Sequence, residues 1–259
     1  MLFRSTNNEI YSRFIKSAIP RRYQFEYTNK PRTLSLEELQ NFRRVIWFTG
    51  IQNFGALRSD SRIILQNYFE SGGTIILTGQ NTQENLGQSG FTEKVFGIKV
   101  TDKKSSQTRL MGEGLKFNLN EKSSAKNQDS PEEIISVKDD TKILLNWLNG
   151  RGAVSERSLG EGKAFYVGFG VEGLSMMGRT RFMGILLERS EPSLVSALQR
   201  ALRATDVSMR ARSINLARSL KPLNRHEASQ AIQILENMGL EDDALYHRIQ
   251  LFLKFQQLH

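Results

Sequence analysis

Gly72-Gly73-Thr74-Ile75-Ile76-Leu77-Thr78-Gly79-Gln80-Asn81 decides how the larger part of this chain folds. An apolar run, Thr74 to Leu77, starts after two glycines and stops at Thr78-Gly79. That pattern predicts a short strand buried on both faces, as in a parallel sheet. Upstream, Ile64, Leu65, Tyr68 and Phe69 fall on one face of a helix over residues 59–70. Helix, tight turn, central strand and sharp exit turn make one repeat of an open α/β sheet. In such sheets, sites lie outside the carboxyl ends of the strands. Gly79, Gln80 and Asn81 hold that position, and neither Gln80 nor Asn81 is a nucleophile.

Working outward toward the N-terminus, residues 44–48 (Arg-Val-Ile-Trp-Phe) read as a core strand closed by Thr49-Gly50, with Asn53 in the loop that follows. Ser35-Leu36-Glu37-Glu38 is a capping-box pattern and starts a short helix ending near Phe42. Tyr23, Phe25 and Tyr27 alternate with Gln24 and Glu26, which predicts a half-buried strand near a sheet edge. Residues 9–19 place Ile10, Phe14, Ile15 and Ala18 on one helical face, ended by Pro20.

On the other side, residues 82–86 and 90–97 read as short helical turns, the second stopped by Gly97, and residues 98–100 as a short strand. The stretch 101–129 is less regular, with a strand expected at 115–119 and surface loop at the polar residues 122–130. Ser130-Pro131-Glu132-Glu133 fits a helix start, or a turn before a strand at 134–137. Strands are expected at 143–147, 152–155 and 163–169, the last two joined as a ribbon through Gly160-Glu161-Gly162. Residues 179–188 resume helical spacing. The alternation predicts an α/β domain, a flavodoxin-like parallel sheet with helices on both faces.

Glu191-Pro192-Ser193 reads as a boundary between a domain of residues 1–190 and a small all-helical unit of residues 191–259. Helices are expected at 194–204, 206–220, 225–238 and 241–256. Gly239 stops the third, and Glu241-Asp242-Asp243 places negative charge at the start of the fourth.

Composition removes several chemistries. The 259 residues include no cysteine, so disulfides, thiolate nucleophiles and cysteine metal sites are excluded. The three histidines, His226, His247 and His259, lie far in sequence from the expected site, and no metal or cofactor is expected. No apolar run approaches the roughly 18 residues of a membrane helix. The N-terminus lacks a signal-peptide core, which makes a cytoplasmic location the expectation. A formal net charge of +9 favours acidic partners, whether nucleic acid, anionic lipid or an acidic protein surface. No Lys/Arg block gives that charge a focus.

Three stretches carry a resemblance: Trp47-Phe48-Thr49-Gly50, the Gly72–Asn81 segment, and Gly168-Phe169-Gly170-Val171-Glu172-Gly173. Together they resemble the class I glutamine amidotransferase-like fold, in its divergent, often non-enzymatic domains, over about residues 5 to 190. Catalytic members carry a cysteine at a nucleophile elbow and a later strand ending in Phe-His-Pro-Glu. The resemblance sets the elbow at Gly79-Gln80-Asn81, with Gln80 nearest the nucleophile position, and the later motif at Phe169-Gly170-Val171-Glu172. Gly170 then stands in place of the base, and Glu172 retains the acid. Thioester hydrolysis needs both nucleophile and base, so glutaminase chemistry is excluded and no catalytic residue is assigned.

The polar residues left to line a vestigial pocket are Asn53, Gln80, Asn81, Glu84 and Glu172. Each has a plainer reading. Glu172 at an exit turn can bond the backbone, and Gln80 and Asn81 can cap the turn that follows. The hydroxyls of Ser155, Ser158 and Ser175 have no histidine near them in sequence. Trp47 reads as core, Trp147 as core or a partly exposed anchor, and Met176-Met177 as core rather than a soft apolar surface.

Three functions fit. The first is a non-catalytic interaction or scaffold subunit, binding a protein partner or itself through the C-terminal helices. The second is a hydrolase-like or small-molecule-binding enzyme that uses the rim around Gln80 and Glu172. The third is a nucleic-acid-associated basic protein, motivated by charge alone.

Overall fold

The computed structural model describes residues 2–5, 9–21, 23–28, 35–50, 57–82, 90–191, 193–204, 207–220, 222 and 224–255. The chain divides into two compact units, residues 1–190 and 191–259.

The first unit is built on one mixed sheet. Its parallel half holds β1 (Leu2–Ser5), β2 (Glu26–Thr28), β3 (Arg44–Gly50), β4 (Thr74–Gly79) and β11 (Gly162–Val167). They lie in the order β2-β1-β3-β4-β11, all parallel. That is the flavodoxin-like order 2-1-3-4-5. β3 and β4 are buried along their whole length, which is why each reads as an unbroken apolar run.

Helices cover both faces. On one, Ile46, Phe48, Ile76 and Phe165 of the sheet pack with Ile15 and Ala18 of α1 (Glu9–Ala18) and with Phe182, Met183 and Leu186 of α4 (Met176–Arg189). On the other, Val45, Trp47, Ile75 and Leu77 pack with Leu39 of α2 (Leu36–Gln40) and with Leu65, Tyr68 and Phe69 of α3 (Ser59–Glu70). Each fully buried aliphatic or aromatic side chain contributes about 1.5–3 kcal/mol relative to exposure. The capping box at α2 is present: Glu38 N–H donates to Ser35 Oγ, and Ser35 N–H to Glu38 Oε2.

Beyond β11 the sheet turns antiparallel. β10 (Gly152–Leu159), β9 (Thr141–Trp147), β6 (Arg109–Gly112) and β7 (Leu115–Asn118) extend it outward. β8 (Glu132–Ser136) pairs with both β10 and β5 (Ile98–Lys104). Several sequence expectations are corrected here. Of the two readings at 130–133 the structure has the strand, which starts two residues earlier than expected, at Glu132. Residues 98–100 are the start of a longer strand, and β1 and β6 were not expected as strands. The expected strand at 23–27 is reduced to Glu26–Thr28, and Phe25 is exposed.

The second unit holds α5 (Leu194–Arg203), α6 (Val207–Ser219), α7 (Arg225–Asn237) and α8 (Ala244–Phe255). Its core is small and alanine-rich, with Ala197, Ala217, Ala228 and Ala231 beside Leu198, Leu235, Leu245 and Ile249. Asn224 caps α7 through Glu227 N–H, and Glu227 Oε1 accepts from the Leu194 N–H. No helix among the described residues is long and apolar enough to cross a membrane.

Candidate functional site

β4 delivers Gly79, Gln80 and Asn81 to the carboxyl end of the sheet, beside the end of β11. A side chain at Gly79 would overlap the Thr49 hydroxyl, so β3 and β4 close together only over glycine. The left-handed residue of the turn is Asn81, at φ 52°. Asparagine tolerates that conformation better than most side chains.

Gln80 is buried, and both ends of its carboxamide are used. Oε1 accepts from the backbone N–H groups of Asp129 and Ser130, each at 2.9 Å. Nε2 donates to the Asn127 carbonyl at 2.7 Å. Gln80 thus binds a loop of its own chain, and residues 83–86 of the turn it was expected to cap lie outside the described residues.

Glu172 is fully buried in a short helical turn, Val171–Gly173, that follows β11. Its Oε1 accepts from Asn127 Nδ2 and Gln128 Nε2, each at 3.1 Å. Oε2 has no hydrogen-bond partner among the described residues. Gln128 closes the network: its Oε1 accepts from the Gly170 N–H at 2.7 Å, and its Nε2 also donates to Asn127 Oδ1. A Cβ on Gly170 would fall on the Glu172 carboxyl, so glycine is what lets that group fold back against the backbone.

Desolvation is the main force on this carboxyl and raises its pKa from 4.5 to about 7. The donors from its own backbone, Asn127 and Gln128 pull the other way without overcoming burial. A carboxyl titrating near neutrality has the right pKa for proton transfer. Here, however, its bonded oxygen faces two side-chain amides, and no serine, threonine or lysine bonds to it among the described residues.

Asn81 points into a different set of groups. Lys104 Nζ donates to Asn81 Oδ1 at 2.7 Å. Nearby in the sheet, the Tyr166 phenol donates to Glu132 Oε2 at 2.5 Å, and Trp147 Nε1 donates to the Glu132 carbonyl at 3.0 Å. Burial, with Glu132 beside it, holds the Tyr166 phenol well above its ordinary pKa. Gln80 and Asn81, adjacent in sequence, therefore serve separate networks. Asn53 and Glu84 lie outside the described residues.

The loop side chains Asn127 and Gln128 were missed in the sequence, where 122–130 reads as polar surface. Gln128 is in fact buried, and no local pattern marks a glutamine whose partners are 42 and 44 positions away. Trp147 proves to be core. Ser175 caps α4 through the Gly178 N–H, Ser158 is exposed, and Ser155 is buried with its hydroxyl unbonded among the described residues. Met176 and Met177, expected in the core, are 57% and 81% exposed.

No family model matches the chain, and no curated protein matches it in sequence. Solved structures do match in fold. One is the mmIFT52 N-terminal domain, at TM-score 0.51 and 12% identity, covering 73% of this chain and 96% of that one. Another is the E323A catalytic mutant of Gan42B, a GH42 β-galactosidase from G. stearothermophilus, at TM-score 0.51 and 13% identity. It covers 73% of this chain and 29% of that one. Identities this low show a shared fold alone.

Proposed function

We propose that this chain is a non-catalytic interaction or scaffold module, whose first unit is a divergent glutamine amidotransferase-like domain. The observation that carries the reading is the occupation of the rim by the chain itself. Gln80 and Glu172, the two polar residues that flank the expected site, are turned onto one loop of the chain: both ends of the Gln80 carboxamide and the Oε1 of Glu172 bond to Asn127, Gln128, Asp129 and Ser130, while Glu172 Oε2 is buried without a partner among the described residues. The likeness of fold to the mmIFT52 N-terminal domain, matched over nearly all of its length, is consistent with a module of this kind.

The second unit supplies a contact surface. Leu251 and Phe255 stand one helical turn apart on α8 and are 55% and 63% exposed. Affinity purification of the tagged chain at low salt, with mass spectrometry of what is retained, tests the reading. A stoichiometric protein partner or second copy, lost in the Leu251→Glu/Phe255→Glu variant, is the expected result. Recovery of the chain alone with a bound small molecule overturns it, and returns chemistry to the Gln80–Glu172 rim.

A further inference from the structure

Met176 and Met177 open α4 in full view of solvent as an adjacent apolar pair, and Met177 is the most exposed large apolar side chain described in its unit. The surroundings are cationic. Arg181 lies one turn beyond Met177 on the same face of α4 and is exposed. The loop that carries Lys122 and Lys126 is fastened to this corner: the Met176 N–H donates to Ser123 Oγ, and Arg179 Nη1 donates to the Ser123 carbonyl, both at 3.2 Å. Lys122, Lys126 and Arg181 make no ion pair among the described residues. Beneath them, Arg179 is 6% exposed, and among the described residues its guanidinium lies over the Phe14 ring and donates to neutral oxygens, those of Ser17, Ser123 and Leu174. The loop has two acids, Glu121, which holds its Oε1 on Asn118, and the exposed Asp129, whose N–H is bonded to Gln80 at the loop's far end.

We propose that the Met176–Met177 corner, with the loop of Lys122 and Lys126 fastened beside it and Arg181 one turn along α4, docks an acidic segment of a protein partner that carries apolar side chains. Methionines are adaptable apolar contacts, and exposed cations beside them, Lys122 and Lys126 of the loop and Arg181, whose guanidinium lies over the Phe117 ring, select acidic residues at the rim. The chemistry favours protein over single-stranded nucleic acid, because among the described side chains the corner offers no exposed aromatic ring on which a base would stack. It favours protein over a membrane because the remaining apolar face of α4 is buried in the core, which leaves two side chains and no amphipathic stripe to insert. This rests on the reading of the chain as an interaction module, and names the surface and the partner's charge.

The test places a photo-crosslinking phenylalanine derivative at position 177 of the full chain, and in a second sample at position 251, each expressed in the native host. Cross-linked material is digested and sequenced. The expected product at position 177 is a protein segment of net negative charge, with yield falling roughly ten-fold in the Lys122→Glu/Lys126→Glu variant. All of these positions are exposed, and thermal melts confirm that the variants fold. Cross-links to nucleic acid, to lipid or to a neutral or basic segment overturn the proposal, as does a yield that charge reversal leaves unchanged. Products at 251 with none at 177 reject the corner and leave the interaction module standing. Products at neither position reject both.

Discussion

Gln80 Oε1 takes two hydrogen bonds from consecutive backbone amides, those of Asp129 and Ser130, across 49 and 50 positions of sequence. The residue at the exit of the central strand is therefore a staple for a distant loop. Gln80→Leu removes these bonds and the one to Asn127. With about 1 kcal/mol for each net bond, the expected loss of stability is roughly 2–3 kcal/mol. Urea unfolding measures it. Amide hydrogen exchange at Asp129 and Ser130 should accelerate in the variant while β4 amides stay protected.

Glu172 makes the fold sensitive to pH in the alkaline direction. Its folded pKa, about 7, lies above the ordinary 4.5, so the folded state holds the proton more tightly than the unfolded chain. The associated stability is complete below pH 4.5 and is lost as pH rises through 7. At about 1.4 kcal/mol for each pKa unit, the loss between pH 5 and pH 8 is on the order of 1–3 kcal/mol. Glu172→Gln should flatten this dependence and exceed the natural chain in stability at pH 8. Paired denaturant titrations at pH 5 and pH 8 check both statements.

Tyr166→Phe deletes the phenol that donates to a carboxylate 4% exposed. The expected cost is about 2–3 kcal/mol, because the acceptor is charged and buried. Combined with Glu132→Gln, the two changes should cost less than their sum. A double-mutant cycle on unfolding free energies reads the coupling.

In the helical unit, Asp243 has two duties. Its Oδ1 caps α8 by accepting from the Leu245 N–H at 2.8 Å, and its Oδ2 pairs with Arg218 at 2.6 Å. Arg218 beside it, together with the cap, holds the Asp243 carboxyl below its ordinary pKa. Its contribution is thus present above the ordinary value and lost as pH falls through the depressed one. Asp243→Ala should cost about 1 kcal/mol, mostly from the cap, and Asp243→Asn less. Thermal melts of both variants at neutral and acid pH give the comparison.

How much of this was legible in sequence depends on the range of the interactions. β3 and β4 could be read because strands buried on both faces are apolar throughout, and α2 because its capping box lies within four residues. β8 was ambiguous because Glu132 and Glu133 look like the acids of a helix start. What makes a strand of them is pairing with β5 and β10, and a phenol 34 positions away that satisfies the Glu132 carboxylate. Gln80 and Glu172 were picked out by position, but their partner loop was not. Asn127 and Gln128 carry the composition of a solvated turn, and only the closing of the sheet shows that they face inward. Met176 and Met177 misled in the opposite sense, since an apolar pair beside a helix start normally packs inward.

One arrangement in the sheet bears on how the molecule is made. β11 is the last strand of its unit to leave the ribosome, yet it sits between β4 and β10 and is the only described link between the parallel and antiparallel halves of the main strand path. Until residues 162–167 emerge, each half presents a bare strand edge, and that of β4 is apolar on both sides. Such edges recruit other chains. Nascent chains stalled short of this point should therefore be the aggregation-prone species, and a chaperone that shields the β4 edge should matter more to yield than any substitution in the finished fold.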